Sequence, residues 1–159
     1  LFIDPETRTW FGPTALKPLA GYFEGPVAEA DFEEIADYDW SARTVAHGAA
    51  QPLARLQWFG GLVAGKGALL PGHGPDGRFK LGKWPQTERE YPKHFRIATA
   101  MMKGPATLEE IASSSGVPLP EVVDFVNANL ATGYAEAVAE TPPEPEETTR
   151  GGLFGRRRK

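Results

Sequence analysis

The chain of 159 residues contains no cysteine. That absence excludes a disulfide framework, a thiol nucleophile, an iron–sulfur cluster and any thiolate zinc site, and it fits a reducing compartment. Long apolar runs are missing as well. No stretch approaches the roughly 20 residues that span a bilayer, and the sequence shows no basic, apolar and cleavage regions in the order of a secretory signal. A cytoplasmic location is therefore expected. The three histidines, His47, His73 and His94, have no metal-ligand spacing. No nucleophile elbow, HExxH pattern or Ser/His/Asp set is present. No metal, cofactor or catalytic residue is expected, and an enzyme built around His73 and Asp76 in "PGHGPDG" ranks last.

What is abundant is Gly and Pro, 18 and 15 residues, so many turns and short elements are expected. Charge is uneven. Residues 1–50 hold three basic and nine acidic side chains, residues 51–103 nine and three, and residues 104–159 five and nine. A basic middle between acidic ends points either to an anionic partner or to contact between the chain's own parts.

"GGLVAGKGALLPGHG", residues 60–74, carries Gly60, Gly65 and Lys66 at the spacing of a phosphate-binding loop. Such a loop needs a preceding strand, a following helix and a Ser or Thr after the Lys to ligate magnesium. Here Gly67 follows the Lys, and Pro71-Gly72 closes the room for a helix. A helix starting at Pro52, with Leu53, Leu56, Phe59, Leu62 and Val63 on one face and its end near Gly65, accounts for the same letters.

Upstream, "LFIDPETRTWFG" reads as a β-hairpin around Asp4–Thr7. "VAEADFEEIADYDW" spaces Phe32, Ile35 and Tyr38 as a short helix or a loop would, and "SARTVAHGAAQ" reads as a connector. Residues 78–84 alternate like a strand. His94–Lys103 reads as a helix stopped by Gly104-Pro105, with His94 at the surface or an interface. Thr107 and Glu110 form a capping box for a second helix, and Pro118 and Pro120 open a third that ends at Gly133. Residues 140–159, rich in Pro and Glu and then Gly and Arg, are too polar to fold alone.

The run "RIATAMMKGPATLEEIASSSGVPLPEVVDFVNANLATGYAEAV" resembles the winged helix-turn-helix superfamily over residues 94–138. The resemblance implies three helices and a wing strand, in a fold that serves both DNA-binding and protein-binding proteins. In its DNA-binding members the third helix reads the major groove with Arg, Lys, Asn or Gln. Here that helix has Glu121 and Asp124, no Arg or Lys, and only Asn127 and Asn129 to touch bases, so its carboxylates oppose phosphate.

The expected fold class is α+β. An N-terminal region (1–90) of hairpin, irregular segments and one helix packs on a winged-helix-like module (91–139), followed by a disordered acidic-then-basic tail (140–159). The expected function is that of a non-enzymatic, bacterial-type adaptor or regulatory protein acting through protein contacts. The candidate contact residues are Glu121, Asp124, Phe125, Asn127 and Asn129 on the third helix and Leu153 and Phe154 in the tail. The alternative is a DNA-binding transcriptional regulator using the basic stretch 78–96, where Arg78, Lys80, Lys83, Arg89, Lys93 and Arg96 are candidate anion contacts. The basic tail offers at most weak contact with a membrane surface.

Overall fold

The computed structural model describes residues 1–139. Strands β1 (Phe2–Asp4) and β2 (Thr9–Phe11) form the expected antiparallel hairpin. Its turn is shaped by the Asp4 carboxylate, which accepts the Glu6 and Thr7 amides at 2.9 and 3.1 Å. The Thr7 side chain foremost, with these two amides, holds the Asp4 carboxyl below the usual range. A third strand, β3 (Gln51–Pro52), joins the other edge of β2. It leads directly into helix α2 (Leu53–Ala64), the helix read from Pro52 onward.

Between hairpin and α2 the chain runs through three 3-10 segments (Lys17–Phe23, Glu29–Asp31 and Val45–His47) and a short helix, α1 (Asp37–Thr44). Helix α1 begins after Ile35, so the Phe32–Ile35–Tyr38 spacing does not make one helical face. Most of the supposed connector 41–51 is helical instead.

Strand β4 (Arg78–Leu81) precedes helix α3 (His94–Met101); strand β5 (Ala106–Thr107), helices α4 (Leu108–Ser115) and α5 (Leu119–Ala131) and strand β6 (Ala135–Val138) follow. The capping box closes as expected. The Thr107 hydroxyl accepts the Glu110 amide at 3.2 Å, and the Glu110 carboxylate accepts the Thr107 amide at 2.9 Å. Gly116, left-handed at φ +65°, ends α4.

The second sheet has the order β5-β4-β6, both pairs antiparallel. Strand β6 is thus partnered by β4, which comes before helices α3 to α5 in the chain. A boundary at residues 90/91 would cut this sheet, so β4 belongs structurally with the elements that follow it.

Two apolar clusters fill the interior. One joins Trp10, Leu16, Leu19, Leu56, Trp58, Phe59 and Leu62 of the N-terminal region with Ala128 of α5. The other gathers Phe79, Leu81, Ile97, Met101, Ile111 and the Val122, Val123, Phe125 and Val126 side chains of α5. Helix α5 therefore serves both clusters, which explains why its sequence is more apolar than one buried face requires. The approach to α2 is close: a methyl group at Gly61 would lie 3.0 Å from the Ala128 Cα.

Candidate functional site

Helix α5 was the expected contact element, and most of its candidate residues face inward. Phe125, Asn127 and Asn129 are fully buried. The Asn129 amide donates to the Phe125 carbonyl at 2.8 Å, while its Oδ1 is buried without a partner. The Asn127 side chain accepts the Leu70 amide at 3.0 Å and donates to the Ala68 carbonyl at 2.9 Å. Asp124 accepts the Gly67 amide at 2.7 Å. Burial raises the Asp124 carboxyl above its ordinary range against the opposing pull of that bond, and the Glu121 charge pushes the same way as burial. Glu121 alone keeps its carboxylate outward, paired with Lys93 at 2.8 Å. The reading of Phe125, Asn127 and Asn129 as outward contact residues is therefore corrected. Polar side chains on a helix suggested exposure, but Asn127 satisfies a loop that the sequence pattern does not place, and Asn129 turns back onto its own helix. Leu153 and Phe154 lie outside the described residues.

That loop is the stretch with phosphate-loop spacing. Helix α2 precedes it, and a turn rather than a helix follows. Lys66 and Gly67 adopt left-handed backbone at φ +49° and +85°. The amides that would cradle an anion are already engaged. Gly67 donates to the Asp124 carboxylate, Ala68 to the Gly65 carbonyl at 2.9 Å, and Leu70 to Asn127. The chain's own carboxylate takes a place a phosphate oxygen would need.

The basic stretch is also largely engaged, though not by the acidic N-terminal third. Arg78 pairs with Glu110 at 3.2 Å, Lys80 with Glu136 at 2.8 Å across β4 and β6, and Lys93 with Glu121. Lys83 sits 4.5 Å above the Tyr134 ring. Arg89 and Arg96 are exposed and form no ion pair among the described residues. All the carboxylates in these pairs come from residues 110–136, and the remaining pair, Arg55 to Glu88, is internal to the middle segment. Arg55 is nearly buried. Its guanidinium donates to both Glu88 oxygens at 2.7 and 2.9 Å, to Gln51 at 2.6 Å and to the Thr14 carbonyl at 2.8 Å. The neighbouring Glu90 accepts the Leu16 amide at 2.7 Å. Two carboxylates of the 84–93 loop thus bind the N-terminal region in place.

His94, expected at the surface or an interface, is buried within the fold. Its ring stacks on Tyr91 at 4.9 Å and meets Phe125 and Trp58 edge-on at 5.0 and 5.6 Å. Its Nδ1 is buried without a partner. Burial pushes its pKa down to about 4, with the Glu121 charge opposing, so the ring is neutral at pH 7.

An exposed surface lies on the outer side of α3, within the basic stretch that includes the candidate Arg96. Phe95, 60% exposed, and Trp84, 45% exposed, pack edge-on at 5.4 Å. Beside them an open groove of about 240 Å³ between α3 and α4 is lined by Phe95, Arg96, Thr99, Lys103, Ser114 and Ser115. The aromatic signal was present in the sequence as Trp84 and Phe95.

Among the described residues, no group of three or more His, Asp or Glu side chains is placed to hold a metal ion, and no helix is long and apolar enough to cross a membrane. No family model, curated protein or solved structure matches the chain.

Proposed function

We propose that the chain is a non-enzymatic adaptor or regulatory protein, of bacterial type and cytoplasmic, whose helical module is a winged-helix variant. Its working surface is the outer face of α3 rather than the third helix. The observation that carries this reading is the conjunction, at one groove, of the exposed Phe95 ring, packed edge-on against the exposed Trp84 beside it, with two cations, Arg96 and Lys103, that form no ion pair among the described residues. Aromatic and Arg side chains are the residue types enriched at protein contacts and at their energetic centres. The cations select an acidic partner surface, and the rings supply the apolar contact.

The DNA-binding alternative keeps one supporting observation, since rings beside cations also suit single-stranded nucleic acid. Against it, Arg78, Lys80 and Lys93 already neutralise the chain's own carboxylates.

The test is affinity capture from native extract with the full chain and with Phe95→Ala and Arg96→Glu, each with and without nuclease. The expected result is a protein retained by the wild type after nuclease treatment and lost with both variants. If everything that depends on these two residues disappears with nuclease, and binding falls steeply with salt, the nucleic-acid reading replaces this one.

A further inference from the structure

The segment 24–39 is a second surface, unrelated to the α3 groove. It carries seven carboxylates, Glu24, Glu29, Asp31, Glu33, Glu34, Asp37 and Asp39, and no basic residue. None of the ion pairs among the described residues involves it. The segment is held at both ends. Phe23 packs edge-on against Phe59 of α2 at 5.8 Å, and Trp40 meets Phe2 and Phe11 of the hairpin at 6.3 and 6.0 Å. Between these anchors Ile35 is half-buried, while three other apolar side chains point to water, Val27 at 49% exposure, Phe32 at 58% and Tyr38 at 85%. A strap fixed at its ends, apolar at three points and charged with one sign only, is shaped to receive something apolar and basic.

We propose that the occupant is this chain's own segment 150–159, "RGGLFGRRRK". It offers Leu153 and Phe154 for the exposed apolar side chains, and Arg150, Arg156, Arg157, Arg158 and Lys159 for the carboxylates. The linking residues are long enough. From Ala139 the fourteen positions to Leu153 span up to about 45 Å when extended. A folded body of this length has a radius of gyration of about 14 Å, so the linker reaches over most of its surface, short of the diametrically opposite side. The acidic stretch between, with Glu140, Glu144, Glu146 and Glu147, is repelled by the strap and acts as spacer. The contact is intramolecular, and it covers the strap until a stronger basic competitor or high salt displaces the segment.

Hydrogen exchange on the full chain tests this. Three proteins are compared: wild type; Arg156→Glu with Arg157→Glu and Arg158→Glu; and Leu153→Ser with Phe154→Ser. Expected is amide exchange over 24–39 several-fold slower in the wild type than in either variant, independent of protein concentration and abolished near 1 M salt, where screening acts within about 3 Å. Exchange in α2 and α5 stays unchanged in all three and reports an intact fold. Equal exchange over 24–39 in the three proteins overturns the proposal. So does slowing that grows with protein concentration, which assigns the contact to a second copy.

Discussion

The Asp124 carboxylate accepts a hydrogen bond from the Gly67 amide at 2.7 Å, joining the middle of α5 to the turn that follows α2. The bond is made to a left-handed glycine inside a loop whose Ala68 and Leu70 amides also have partners. It costs the carboxylate part of its hydration, which is why burial outweighs the bond and raises the acid's pKa.

Asp124 therefore separates geometry from charge. Asp124→Asn keeps an acceptor oxygen and should hold wild-type stability at pH 7, whereas Asp124→Ala strands the Gly67 amide and should lose about 1–2 kcal/mol. A native pKa above the unfolded one means that the folded state binds the proton more readily. This contribution to stability is present at acid pH and is lost as pH rises through the native pKa. Asp124→Asn should remove that slope in urea titrations, and a loss in the Asn variant equal to that of Ala would contradict the assignment.

Gly65 tests the same joint sterically. A methyl group there would meet the Ala68 carbonyl oxygen and the Asn127 amide at 2.3 Å each, and neither a backbone oxygen nor a buried, bonded amide can yield cheaply. Gly65→Ala should cost about 1–3 kcal/mol in chemical denaturation, although alanine ordinarily stabilises a helix end relative to glycine. A neutral Gly65→Ala would show that the loop relaxes freely.

His94 predicts an acid limb in the stability curve. The unfolded chain protonates this ring near its ordinary pKa of 6.5, the folded chain only near 4. Stability fully present above pH 6.5 is therefore lost as pH falls toward 4, by on the order of 3 kcal/mol at 1.36 kcal/mol per pKa unit. Glu121, paired with Lys93, is the charged group that opposes the shift, and the rings of Trp58, Tyr91 and Phe125 supply the desolvation. Denaturation from pH 7 to 4.5 should show the slope in the wild type and its loss in His94→Phe; the same slope in both places its origin elsewhere.

The Arg55–Glu88 pair, with both side chains nearly buried, should behave as a buried ion pair does. Removing one partner with Glu88→Ala leaves an unneutralised guanidinium and should cost about 3 kcal/mol. The double change Arg55→Met with Glu88→Leu should cost much less. Additive losses in this double-mutant cycle would show that the two groups do not depend on each other.

Much of the helical half was legible because its signals are local. The Thr107–Glu110 capping box, the Gly116 stop and the prolines opening α5 act within a few residues, and the structure places helix boundaries where they point. The Asp4–Thr7 hairpin turn was readable for the same reason. Non-local facts were not. Nothing in the neighbourhood of Asn127 says that Ala68 and Leu70 will need its amide, and nothing near Arg78–Leu81 says that this strand will sit between β5 and β6. The paired charges show the same limit. A cluster of Arg and Lys reads as a binding patch until the fold brings Glu110, Glu121 and Glu136 to it.

The strand order β5-β4-β6 also dictates when the protein can be finished. Register pairs Leu81 with Ala135 and Phe79 with Ala137, so β4 leaves the ribosome long before its partner exists. Until β6 arrives, β4 has only the short strand β5 beside it, along the opposite edge, and closing so long a loop is entropically slow. The helical half thus completes itself around a strand synthesised ahead of it. A chain arrested anywhere before residue 138 would carry an open strand edge, the usual seed of mispairing between unfinished copies.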